Sequence, residues 1–158
     1  MTISQGRASR VVGRGDGTLL RIGGRPQREA EMMELAGSHG VRVPAVFEVH
    51  ADALVLELIE GPLMAHDLAR RPWLLRRHLR TLMQLHERIH AIPLDGARLV
   101  HFDLHPENVI MSKSGPVLID WTNAHGGDPE ADVALTWLIL ETGAGVPGRL
   151  AGANPSLW

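Results

Sequence analysis

Three oxygen-bearing side chains stand at spacings suited to chemistry on a phosphate. Asp103 is followed five residues later by Asn108, and Asp120 closes the β-prone run Val117-Leu118-Ile119. Moving a phosphoryl group to a hydroxyl needs a carboxylate beside that hydroxyl, and hard oxygen ligands for magnesium supplied from a separate segment. This spacing supplies those groups. Singly, each would read as a turn former. Together, between apolar runs, they read as a set. His101 and His105 flank Asp103, and His-x-Asp-x-His invites a zinc reading. Paired zinc histidines of the helical kind need one helix face, and Pro106 disfavours helix at that point.

The composition agrees with small-molecule chemistry. The chain has 158 residues, a formal net charge of -2 and no cysteine. Disulfides, thiolate metal sites and a cysteine nucleophile are thereby excluded. The charge gives no overall basic field for nucleic acid or an anionic membrane. No apolar run approaches the ~20 residues of a spanning helix, and the first ten residues are too polar for a signal-peptide core. The expectation is a cytoplasmic protein. Lys113 is the sole lysine, so no other position can supply an amine.

The elements that must position these groups come in two blocks. Residues 6–22 alternate β-prone pieces with glycine, and Gly15-Asp16-Gly17 reads as a hairpin tip. Pro26 opens a helix that Gly40 stops, with Ala30, Met33 and Ala36 on its apolar side. Two runs, 45–49 and 53–59, flank the turn His50-Ala51-Asp52 as a second hairpin. Gly61-Pro62 then breaks the pattern. The division expected is a strand-rich lobe over residues 1–60 and a helical lobe over 61–158. In the second lobe Leu75, Leu79, Leu82, Met83 and Ile89 suggest one apolar helix face, ended by Pro93, with His86 and His90 as packing or surface residues. Arg70, Arg71, Arg76, Arg77 and Arg80 form a basic cluster there, best read as a solvated face. Asp128-Pro129 opens a last helix to about Glu141. Residues 143–158 are rich in Gly and Pro without a period.

At these residues the chain resembles the aminoglycoside phosphotransferase and choline kinase-like family, of protein-kinase-like fold. The likeness rests on His101-Phe102-Asp103-Leu104-His105-Pro106-Glu107-Asn108, on Ile119-Asp120-Trp121, and on Gly127-Asp128-Pro129-Glu130-Ala131-Asp132-Val133-Ala134. It extends more weakly through Val41-Arg42-Val43-Pro44 and Leu56-Glu57-Leu58-Ile59-Glu60-Gly61, covering about residues 6 to 142. The resemblance implies an α+β two-lobe fold that transfers the γ-phosphate of ATP, or GTP, to a hydroxyl of a small molecule with Mg2+. Asp103 would orient the acceptor hydroxyl and accept its proton, and His105 would contact the transferred phosphate. Asn108 and Asp120 would hold the magnesium, His101 would brace the loop, and Asp132 would stabilise it from the next helix. The nucleotide base would lie against the backbone between Glu57 and Glu60, with Glu57 and Ile59 as its nearest residues.

Several positions depart from that pattern. Kinases hold the phosphates with a lysine on the third strand, paired with a helix glutamate. Here the strand residue is Arg21, with Glu29 as its expected partner and Glu31 two residues away as the alternative. Arginine keeps the charge with a different reach and geometry, which would reduce activity. The glycines at 13, 15 and 17 do not form a clean G-x-G-x-x-G, and Phe102 stands where the family commonly has glycine. The likeness also implies further helices after Glu141, so a shortened lobe would expose an apolar face and favour homodimerisation. A non-catalytic or degenerate nucleotide-binding module is the alternative reading.

Overall fold

The structure is a computed structural model that describes residues 2–5 and 9–142; the Gly- and Pro-rich stretch 143–158 lies outside the described residues. Strands β1 (Thr2–Gln5), β2 (Ser9–Gly13) and β3 (Thr18–Gly23) run into helix α1 (Pro26–Ser38), then β4 (Val46–Val49) and β5 (Ala53–Glu57). They form an antiparallel sheet in the order β1-β2-β3-β5-β4. The β2–β3 turn is set by Asp16, whose Oδ1 accepts from the Thr18 backbone N–H at 3.0 Å. The pairing of Arg21 with Leu54 fixes the register between β3 and β5. Helix α1 starts with Pro26 at its first turn and buries Ala30, Met32, Met33 and Ala36. The reading of residues 6–22 misses β1, which its polar Thr-Ile-Ser-Gln sequence does not announce.

The chain then passes through Gly61, which has a φ of +149°. A Cβ there would lie 2.5 Å from the Met111 carbonyl oxygen, so backbone meets backbone where the chain crosses strand β8 (Val109–Ser112). The Met111 N–H donates to Pro62 O at 2.8 Å at this crossing. Helices α2 (Met64–Arg70) and α3 (Leu75–His90) follow, then β6 (Pro93–Leu94) and β7 (Ala97–Val100). Strand β8 pairs with β9 (Gly115–Leu118) as a hairpin, and β10 (His125–Gly127) joins β7 and β6 in a three-stranded sheet. Helix α4 (Pro129–Thr142) is the last described element. The short α2 was not legible as a separate helix, since it spans only seven residues and holds one apolar turn.

One apolar cluster joins both blocks, from Ala30, Met33 and Leu54 to Leu82, Ile89, Leu118 and Trp121. Burying each such large side chain contributes about 1.5–3 kcal/mol. Helix α3 uses its face otherwise than the apolar pattern predicts, and α4 too turns polar residues inward. In α3 the buried positions are His78, Leu82, Leu85, His86 and Ile89, while Leu75, Leu79 and Met83 are exposed. The two histidines take core positions because each has a polar partner inside: His78 Nε2 meets Asp67 Oδ2 at 2.8 Å and His86 Nε2 meets Thr136 Oγ1 at 3.0 Å. In α4 the buried residues are Asp132 and Thr136, and Trp137 and Leu138 are exposed. Arg71 of the basic cluster pairs with Asp67, and Arg70, Arg76, Arg77 and Arg80 are exposed.

Gly61→Ala forces a side chain into an unfavourable φ and against the β8 backbone. The expected cost is about 1–3 kcal/mol, and each kcal/mol lowers the melting temperature by roughly 2–4 °C, which thermal unfolding followed by circular dichroism measures.

Candidate active site

The loop between β7 and β8 holds Asp103, His105 and Asn108 together. Pro106–Asn108 forms a single 3-10 turn whose preceding residue, His105, accepts the Glu107 N–H on Nδ1 at 3.3 Å. A neutral His105 therefore carries its proton on Nε2, which lies 3.4 Å from Asp103 Oδ1. Asn108 Nδ2 donates to the Asp103 carbonyl at 2.8 Å and to its Oδ2 at 2.9 Å. The five-residue interval thus closes a ring in which Asn108 fixes both the main chain and the carboxylate of Asp103. Burial pushes the Asp103 carboxyl up, but hydrogen bonds from His105 and Asn108 outweigh it and hold the group below its ordinary value. Asp103 is therefore ionised at neutral pH, suited to orienting a hydroxyl more than to strong proton abstraction.

Asn108 and Asp120 stand at the open end of the β8–β9 hairpin. Val109 pairs with Leu118, and the Ile119 N–H donates to the Asn108 carbonyl at 3.0 Å. Asp120 has a φ of +60°, and this left-handed conformation turns it off the strand. Its Oδ1 accepts from Thr122 Oγ1 at 2.6 Å and from Arg21 at 3.0 Å. Asn108 uses its amide nitrogen on Asp103, which leaves the side-chain carbonyl of Asn108 and Asp120 Oδ2 as hard oxygen donors. That donor set fits a magnesium ion, which favours carboxylate and carbonyl oxygen.

Arg21 on β3 faces this corner from the sheet. It is buried and pairs with buried Glu29 of α1 and with Asp120, and donates to Thr122 Oγ1 at 2.6 Å. Glu29, and not Glu31, is the glutamate that meets Arg21; Glu31 is exposed. Gly24, at a φ of +77°, leaves the space Glu29 Oε1 occupies, since a Cβ there would collide with that oxygen. The Arg25 N–H donates to the same oxygen at 3.3 Å. Farther along, Glu57 directs its carboxylate to the Ala45 N–H at 3.2 Å, and the Leu58 N–H donates to Gly17 O at 3.0 Å. Ile59 is half-buried beside them, one residue past that bond.

Behind the loop lies Asp132, wholly buried. Its Oδ1 accepts from the Phe102 N–H at 2.9 Å, and its Oδ2 from the His101 N–H at 3.1 Å and from His90 Nε2 at 2.9 Å. Burial opposes its charge, but the neighbouring His86 and His90 rings and the His101 N–H hold its carboxyl far below the usual range. One turn along α4, Thr136 donates to the Leu104 carbonyl at 2.8 Å. The backbone on both sides of Asp103 is thus held by α4. His101 donates from Nε2 to Ile119 O at 3.1 Å and meets Trp121 edge-on at 5.0 Å; burial pushes its pKa down. Phe102 takes a φ of +60°, and its ring stacks edge-on against His125 at 5.1 Å. His86 and His90, read from sequence as packing or surface residues, belong to this network. The available signal was their four-residue spacing on the stripe that carries Leu82, Leu85 and Ile89.

The RIO domain family model matches residues 23–136. The chain belongs to the RIO domain family. That span runs from the end of β3 to α4 and includes Glu29, Asp103, His105, Asn108, Asp120 and Asp132, but not Arg21. The RIO-domain chain is also 39% identical over 84 residues to thiamine kinases of Salmonella paratyphi B and Salmonella newport, a match covering 49% of this chain and 29% of each relative. It therefore spans under a third of the length of those curated relatives. An aminoglycoside phosphotransferase solved as a ternary complex with AMP-PNP and hygromycin B superposes with a TM-score of 0.70 at 16% identity, over 88% of this chain and 71% of that one. The expected protein-kinase-like α+β fold is what these likenesses share.

Because the Asp132 carboxyl is depressed in the folded chain, its contribution to stability is complete above the ordinary carboxylate value of 3.8 and is lost as pH falls below it. Asp132→Asn removes that contribution at neutral pH. The expected result is a loss of about 3 kcal/mol at pH 7 and a flatter stability curve below about pH 4, measured by urea unfolding across pH.

Proposed function

We propose that the chain is a magnesium- and nucleotide-dependent phosphotransferase acting on a hydroxyl of a small molecule, in the manner of the aminoglycoside phosphotransferase and choline kinase-like family its motifs resemble. The observation that carries this is the convergence of three separate segments on one corner: the Asp103–His105–Asn108 ring, Asp120 at the hairpin end, and the Arg21–Glu29 pair from the sheet. In this reading residues 1–60 bind the nucleotide and residues 61–158 carry the catalytic loops. The thiamine kinase and aminoglycoside phosphotransferase likenesses support a small-molecule acceptor.

Each side chain then has a physical task. Asp103, held ionised by Asn108 and His105, accepts a hydrogen bond from the acceptor hydroxyl and takes its proton as the phosphoryl group leaves the nucleotide. His105 offers its Nε2 proton to the transferred phosphate. Arg21, aimed by Glu29, clamps phosphate oxygens through its planar fork. A magnesium ion on Asn108 and Asp120 would supply charge neutralisation of the phosphates. The base of ATP or GTP would lie along the backbone at Glu57 and Ile59. No helix among the described residues is long and apolar enough to cross a membrane, and the proposed partners are a nucleotide and a small hydroxyl compound.

One contact favours a second reading, a non-catalytic nucleotide-binding module. Arg21 is bonded to Oδ1 of Asp120 itself, so its positive charge stands beside the carboxylate that would hold a metal and competes with the ion for it.

Calorimetric titration with a non-hydrolysable ATP analogue, with and without magnesium, tests the shared part of both readings, and ATP turnover separates them. Asp103→Ala is expected to lower turnover about 10²–10⁴-fold while leaving nucleotide affinity within twofold or so. Asp120→Ala is expected to remove the magnesium dependence of binding. Unchanged turnover in Asp103→Ala overturns the mechanism; magnesium-dependent binding with no turnover above that variant favours the non-catalytic module.

A further inference from the structure

The network behind the loop contains a conflict that a cation would resolve. Thr136 Oγ1 commits its single proton to the Leu104 carbonyl at 2.8 Å. His86 Nε2, 3.0 Å from the same hydroxyl oxygen, must therefore be the donor to it. A neutral His86 then has no proton on Nδ1. That nitrogen is buried, has no hydrogen-bond partner, and faces Asp132 Oδ2 at 3.6 Å. Two lone pairs directed at one another in the interior require positive charge between them. His90, one turn along α3, brings its Nε2 to 2.9 Å from the same carboxylate oxygen.

We propose that His86 Nδ1, His90 Nε2 and Asp132 Oδ2 form a binding site for a divalent transition-metal ion of the zinc class, joining α3 to α4 behind the catalytic loop. Two imidazoles and a carboxylate are a zinc-type donor set, chemically unlike the oxygen donors Asn108 and Asp120. The three ligand atoms lie within 4.8 Å of one another. Tetrahedral coordination at 2.0–2.2 Å places ligand atoms roughly 3.3 Å apart, and the separations to Asp132 Oδ2 of 3.6 and 2.9 Å bracket that value. Adjustments of a few tenths of an ångström complete the site.

The surroundings suit a ligand set. The Thr136 hydroxyl fixes the His86 tautomer that presents Nδ1, as the outer partners of metal-binding histidines do. Asp132 keeps its bonds to the Phe102 and His101 N–H groups, because a carboxylate oxygen can accept a hydrogen bond and bind a metal at once. His90 releases its Nε2 proton when the ion enters. The His90 side chain is 14% exposed. It opens on a surface groove of about 430 Å³ lined by His90, Pro129, Glu130, Val133, Ala134 and Trp137. That groove gives an entry path and room for water at the fourth position.

The test uses the full chain, stripped with a chelator and then titrated with Co2+ and Zn2+ in excess Mg2+. The expected result is one equivalent of Co2+ with the strong visible absorption of four-coordinate cobalt, displaced by Zn2+. Cobalt on the oxygen ligands of the magnesium corner is octahedral and absorbs weakly, so the bands tell the two sites apart. His90→Ala should abolish the absorption, and Thr136→Val, which keeps all three ligands, should weaken binding about 10–100-fold. His50→Ala, on an exposed turn, should change nothing. If His90→Ala does not fold, the histidine nitrogen resonances of the unaltered chain decide: Zn2+ must shift His86 Nδ1 and His90 Nε2. Failure of the folded chain to take up one equivalent at micromolar metal, or a His86 ring protonated on both nitrogens that does not respond to Zn2+, overturns the proposal. None of these readouts depends on phosphotransferase activity.

Discussion

A buried carboxylate is the constraint on which the loop that carries Asp103 depends. Asp132 is fully enclosed, and an enclosed charge is costly unless every lone pair is matched. Its partners are the His101 and Phe102 N–H groups and the His90 ring, with His86 beside it. The loop backbone therefore cannot leave without exposing the charge to an unpaired interior. Thr136 holds the Leu104 carbonyl on the far side of Asp103. The residue expected to meet the acceptor is thus gripped through the residues on both sides of it by one helix.

A second polar network holds the opposite wall. Arg21 joins the sheet to α1 through Glu29 and to the hairpin end through Asp120 and Thr122. Between the two networks runs a continuous apolar core that includes Leu54, Ile89, Leu118 and Trp121. Packing density in such a core transmits position, so the sheet and the loop hold a fixed relation. The side chains with chemistry are at the edges of that core, where backbone amides can satisfy them.

Helices α3 and α4 show how buried polar pairs override apolar patterning. Helical periodicity on α3 predicted Leu75, Leu79 and Met83 inside, yet His78 and His86 take inward positions because Asp67 and Thr136 await them there. On α4 the polar pair Asp132 and Thr136 faces inward while Trp137 and Leu138 are exposed. A polar residue is stable inside when its partner is inside, and a partner 42 to 50 residues distant in sequence cannot be seen by a local rule.

Legible in the residues alone were the order of elements from β2 to β5, the helices α3 and α4, the hairpin at residues 15–17, and the candidate set Asp103, Asn108 and Asp120. Those features follow from local physics: glycine and proline positions, short-range periodicity, and a five-residue interval that a single turn closes. Tertiary structure decided which glutamate meets Arg21, because Glu29 and Glu31 differ only in which side of α1 they occupy. It alone decided that the Arg21 side chain reaches Asp120 and that His86 and His90 converge on Asp132. Each of those choices depends on the relative placement of elements far apart in sequence, which is fixed by packing of the shared core and by the need to pair buried charge.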